Sequence, residues 1–148
     1  MTPGDPGRWI PAWLALIRTH ARLWDQVETQ MRRAGGLTMP RFDVLMQLEG
    51  AGGRLRLSDL AEAVVLSPSG LSKLLDRMSE SGLVTREPDA DDARSTFATI
   101  TPHGRATVRK ARKEHHAFLQ QAFGDALDTQ DLDNLVTIMA RIDERSRP

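Results

Sequence analysis

Histidine is the side chain here best suited to metal or acid–base chemistry, and it occurs at positions 20, 103, 115 and 116. Zinc-binding helices set histidines four apart on one face, whereas adjacent residues such as His115 and His116 point to different faces. No cysteine occurs among the 148 residues, which removes thiolate ligands, disulfides and thiol redox sensing together. No nucleophile–base pair and no glycine-rich phosphate loop stands out. The sequence therefore predicts no enzyme, no metal site and no cofactor.

A different chemistry is offered by DADDARST, residues Asp89 to Thr96, which sets three aspartates and one arginine between two strand-like runs. An arginine at the tip of a ribbon can enter a DNA minor groove, where it reads groove width and A·T content. A carboxylate can hold such a guanidinium by a bidentate pair. Asp92 lies two residues before Arg94, on the same side of an extended segment, and is the candidate partner. Asp89 and Asp91 are left to shape the turn. The bland alternative is a solvated acidic turn in which Arg94 merely offsets local charge.

The elements that must position this stretch follow from apolar spacing. Trp9 to about Arg33 carries apolar residues three and four apart, a helix of ~37 Å. That is long for the chain, so part of it should pack outside its own core. A second helix starts near Thr38, with Pro40 in its first turn, and stops at Gly50 to Gly53. RLRLS (54–58) alternates as a short strand, and Ser58 is expected to cap a short helix. Ser67-Pro68 opens the next helix and Gly82 stops it. LVTRE and TFATI flank the acidic turn as a hairpin. Thr101-Pro102 opens a long helix through Phe123, and a last helix begins near Asp128.

The segment 58–84 thus reads as helix, tight turn, helix. In a helix-turn-helix the second helix enters the major groove with its N-terminal residues toward base edges. Here these are Ser69, Gly70, Ser72 and Lys73, while Ser67 and the first-turn amides could hold a phosphate. Leu71, Leu74, Leu75 and Met78 would face the core. An ordinary helical hairpin with a polar surface reads the same way. Charge does not decide, because 20 basic and 20 acidic residues cancel and only a local patch could hold DNA. Arg105, Arg109, Lys110, Arg112 and Lys113 form one basic run, with an acidic stretch beyond it; two solvated faces would look alike.

DDARS (91–95), SPSGLSKLLDRMSESGLVTRE (67–87) and TPHGRA (101–106) together resemble the MarR family of bacterial transcription regulators. The resemblance covers essentially the whole chain, strongly in the middle motifs and by helix order at the ends. It implies a mainly α fold with a small β-wing, one domain over 1–148. Within it, 38–100 would be a winged helix-turn-helix lobe, and 8–34 and 101–146 dimerisation helices. It implies a homodimer on a pseudo-palindromic operator in double-stranded DNA, covering Leu14, Ile17, Leu135, Ile138, Met139 and Ile142. By carry-over, Ser69, Gly70, Ser72 and Lys73 contact bases or phosphates. Arg77 supports the backbone contact or the wing, and Asp92 orients the minor-groove Arg94.

The resemblance also implies a small-molecule effector, often an aromatic or phenolic anion, that releases a repressor. Trp13, His20, Trp24, His115 and Phe118 are the candidate wall; tryptophans on an apolar stripe are otherwise core. Composition is that of a soluble globular chain, and neither a signal segment nor a membrane-spanning apolar run occurs, so a cytoplasmic protein is expected. The rival is a winged-helix dimer that binds protein, or DNA without sequence preference.

Overall fold

The computed structural model describes residues 5–64, 66–90, 92 and 95–146. Local caps decide where most helices begin. In α1 (Pro6–Gly35) the Asp5 carboxylate accepts from the Gly7 N–H at 2.9 Å, and the helix ends at Gly36 with φ 69°. It starts ahead of the apolar stripe because the Asp-Pro cap lies outside that stripe. Ser67 caps α4 (Pro68–Glu80) by accepting from Gly70 N–H at 3.2 Å. Thr101 caps α5 (Pro102–Leu119) through Gly104 N–H at 2.9 Å. Asp128 caps α6 (Thr129–Ser146) through Asp131 N–H at 2.8 Å.

The other two helices begin without a hydroxyl cap of their own; the first starts where expected and the second does not. Thr38 makes no side-chain cap for α2 (Met39–Gly50); Glu28 of α1 instead accepts the Met39 N–H at 2.6 Å. Ser58 does not cap α3 (Leu57–Ala63), because the helix begins one residue earlier and the Ser58 hydroxyl donates to Asp59. Strand β1 (Arg54–Arg56) holds Arg56 extended by pairing, so the helix must start directly after it. The long helix also does not run regularly to Phe123. It widens into a π-helical turn at Gln120–Gly124 before α6.

β2 (Val84–Pro88) and β3 (Thr96–Ile100) form the expected hairpin, and β1 joins its other side to give an antiparallel sheet in the order β1-β3-β2. Leu55, Ala98, Val84 and Ile100 turn inward. Arg54, Arg56, Phe97 and Thr99 lie on the outer face by the same register.

The core centres on the segment between α2 and β3: Leu45, Leu48, Leu60, Leu75, Met78 and Val84 are fully or almost fully buried. Only the C-terminal half of α1 reaches it, through Val27 and Met31, and α6 contributes no buried residue. Trp9, Ile10 and Trp13 of α1 lie exposed, as do Val136 (69%), Ile138 (48%) and Ile142 (48%) of α6. Apolar faces of this extent on two long helices call for a cover. Among the described residues no helix is long and apolar enough to cross a membrane.

Candidate nucleic-acid interface

Helix α4 separates its faces cleanly. Leu71, Leu75 and Met78 are buried on one side. At 100° per residue Ser69, Ser72, Lys73, Asp76 and Arg77 share the opposite side. Ser67, Ser69, Lys73 and Arg77 are exposed there, with Gly70 and Ser72 half-buried. The first turn has small side chains and a hydroxyl cap, so a phosphate or base edge can approach the helix amides closely. Of the two acids on this face, Glu80 lies in the last turn, and Asp76 is ion-paired with Arg86 of β2. That pair removes a repulsive charge and ties α4 to the hairpin.

The hairpin loop is closed by backbone bonds. Asp89 N–H donates to Ser95 carbonyl at 2.9 Å, and Ser95 N–H to Asp92 carbonyl at 2.8 Å. Asp92 is exposed at the loop. Arg94, with Asp91 and Ala93, lies outside the described residues, and its pairing with Asp92 stays an expectation. Asp89 does more than shape the turn. Its side chain is almost wholly buried and its Oδ2 stands 2.7 Å from an Arg56 guanidinium nitrogen. The Arg54 guanidinium lies 3.8 Å, and that of Arg56 5.4 Å, from the Phe97 ring centroid.

A cavity of about 740 Å³ opens between α1, α2 and α5, lined by His20, Trp24, Phe42, Met46, Arg112 and His115 among others. His20 stacks on Trp24 with centroids 5.8 Å apart, and His115 meets Phe42 at 4.8 Å. Arg112 stands at the cavity, ion-paired with Glu49 and donating to Met46 Sδ at 3.3 Å. Of the five residues expected to form a pocket wall, three come together here. Trp13 is 60% exposed and Phe118 is buried in the core; neither borders the cavity. Phe42, Met46 and Arg112 were not singled out. Phe42 reads as ordinary core spacing, and Arg112 is indistinguishable from its basic neighbours until the fold sets it, still exposed, at the cavity beside Glu49.

Burial holds His115 below the usual histidine pKa of 6.5, and repulsion from His116 adds to the shift. The unfolded chain then binds this proton more readily than the folded one. The contribution of His115 to stability is fully present above pH 6.5 and is lost as pH falls through the lower folded-state value. Melts taken from about pH 7.5 to about pH 5 should show a falling midpoint that His115→Gln flattens. An equally steep fall in the variant would assign the effect to other groups.

Of the six residues expected at a dimer contact, Ile17, Ile138 and Ile142 are exposed, and Leu14, Leu135 and Met139 half-buried. Among the described residues no three histidine, aspartate or glutamate side chains gather as a metal site would need.

A model of the MarR family matches residues 35–95 of this chain. AbsC, a MarR family transcriptional regulator from Streptomyces coelicolor, is 34% identical and superposes with a TM-score of 0.88 over 97% of each chain. Sco3205, another MarR family regulator from that organism, has a crystal structure in complex with DNA. It is 26% identical, with a TM-score of 0.92 over 100% of this chain and 93% of its own. An HTH-type transcriptional repressor of Mycobacterium bovis is 31% identical over 101 residues, 68% of this chain and 71% of that protein.

Proposed function

The chain belongs to the MarR family of transcriptional regulators, and from that premise we propose that it is a homodimeric repressor whose hold on a pseudo-palindromic operator is relaxed by a small aromatic acid or phenol. The observation that carries the DNA reading is the exposed face of α4, where Ser69, Lys73 and Arg77 follow a serine-capped N-terminus beside the hairpin. Ser69, Gly70, Ser72 and Lys73 reach base edges or phosphates, Ser67 and the first-turn amides hold a phosphate, and Arg77 supports the backbone contact. Arg94, oriented by Asp92, enters the flanking minor groove. A DNA-bound structure of similar fold, in Sco3205, supports this assignment.

The 38–100 lobe reads DNA, while 8–34 and 101–146 build the dimer. The exposed apolar faces of α1 and α6 are the support for that division. The effector enters the cavity among His20, Trp24, Phe42 and His115, with its polar or anionic group toward Arg112. The cavity touches α1, α2 and α5, so its occupant can favour one setting of the lobe against the dimer helices. Such a population shift needs different affinity for the two settings.

The test is fluorescence anisotropy on the DNA upstream of the protein's own gene, with a scrambled duplex as control. Selective binding should weaken as salt rises, with a log–log slope of about −0.9 for each phosphate neutralised. Aromatic acids that quench Trp24 fluorescence should release the duplex. Equal affinity for both duplexes would leave a nonspecific architectural protein. Absence of binding even at low salt would leave a protein-interaction module.

A further inference from the structure

We infer that Arg56, on β1, is a positioning residue for the wing: through Asp89 it fixes the angle at which the β2–β3 loop leaves the sheet. The inference rests on the DNA-binding reading above. Arg56 faces Phe97 in the β1–β3 register, and Phe97 in turn faces Glu87 of β2. Its guanidinium therefore crosses the central strand to reach Asp89, the residue just after β2, at 2.7 Å. Phe97 lies beneath it, with the Arg54 guanidinium stacked on the same ring.

A hairpin joined to its lobe only through its two strands can swing about its root. Here a third strand adds an ion pair at the far end of the hairpin, where the loop leaves β2. The Asp89 side chain is only 6% exposed and that of Arg56 46%. The carboxylate is shielded from water at the loop root, while the guanidinium has one open side. A carboxylate so shielded requires a cation beside it, and its removal is felt strongly. The backbone of Asp89 also closes the loop, through its N–H to the Ser95 carbonyl. The ion pair and the loop closure share one residue, so weakening the first loosens the second.

Arg56→Gln keeps the aliphatic stem over Phe97 and removes the charge. Without DNA, amide exchange at Asp89 should speed up in this variant, while that of Leu83, whose N–H bonds the Met78 carbonyl, should not. Unchanged exchange at Asp89 would overturn the inference. On operator DNA, Arg56→Gln should weaken binding about tenfold, and add nothing further in an Arg94→Ala background. In a Lys73→Ala background the two losses should multiply, because Lys73 acts from α4. Multiplicative losses with Arg94→Ala would show that Arg56 contacts DNA itself and overturn the positioning role. Failure of the unaltered protein to bind any duplex would sink the regulator reading, and amide exchange would still decide whether Arg56 holds the loop.

Discussion

Gly104→Ala is expected to destabilise the protein by about 3 kcal/mol, lowering the melting midpoint by roughly 6–12 °C. Helix propensity alone predicts the opposite, a gain of about 1 kcal/mol from replacing glycine by alanine. Packing wins because a methyl group at Gly104 would stand 2.9 Å from Ile100 Cγ1 and collide with the Leu83 carbonyl oxygen. That carbonyl cannot step aside, since it accepts the Thr101 N–H at 3.1 Å. The Thr101 hydroxyl donates to the neighbouring Gly82 carbonyl at 2.6 Å. These bonds clip the start of α5 to the start of β2.

Gly70 provides an internal control. SPSG and TPHG place a hydroxyl cap, a proline and a glycine in the same order at the starts of α4 and α5. Yet a methyl group at Gly70 would meet only the Ser67 hydroxyl, at 3.0 Å. Gly70→Ala should therefore shift stability by less than about 1 kcal/mol in either direction. Calorimetry on both variants would decide; equal effects would mean that the Leu83 contact does not govern Gly104.

Ile138→Asp should convert the proposed dimer to monomer and weaken operator binding by more than about a hundredfold. Ile138 is 48% exposed on a helix with no buried residue of its own, so the single chain loses little by the change. A dimer that covers this face must bury an unpaired carboxylate in each subunit, at a cost of several kcal/mol, roughly, per interface. Monomers then meet each half-site separately and lose the effective concentration that linkage supplies. Sedimentation of the variant checks the first step and anisotropy the second. A variant that sediments unchanged would place the dimer contact elsewhere, and one that is monomeric yet binds normally would remove the need for a dimer.

Much of the fold was legible in the sequence because its signals are local. Ser67, Thr101 and Asp128 mark helix starts through bonds three residues away. The apolar spacing of α4 alone separates its core side from Ser69, Lys73 and Arg77. The hairpin followed from two alternating runs around a turn.

What the sequence could not hold were relations between distant segments. Glu28 caps a helix that starts eleven residues later, and Ser58 loses its capping place because β1 pairs with a strand some forty residues away. The cavity takes residues from three helices. Trp13 and Trp24 occupy the same kind of stripe, yet only Trp24 borders the cavity, since α1 leaves the lobe toward its N-terminus. The sequence by itself determined the order of elements, their polar and apolar faces, and the family resemblance, all carried by caps and spacing within a few residues. Only the tertiary structure decided that Asp89 meets Arg56, that Arg112 turns to the cavity, and that Gly104, unlike Gly70, has no room for a side chain. Those outcomes depend on which surfaces the packed helices and sheet bring together, and short-range spacing carries no record of that.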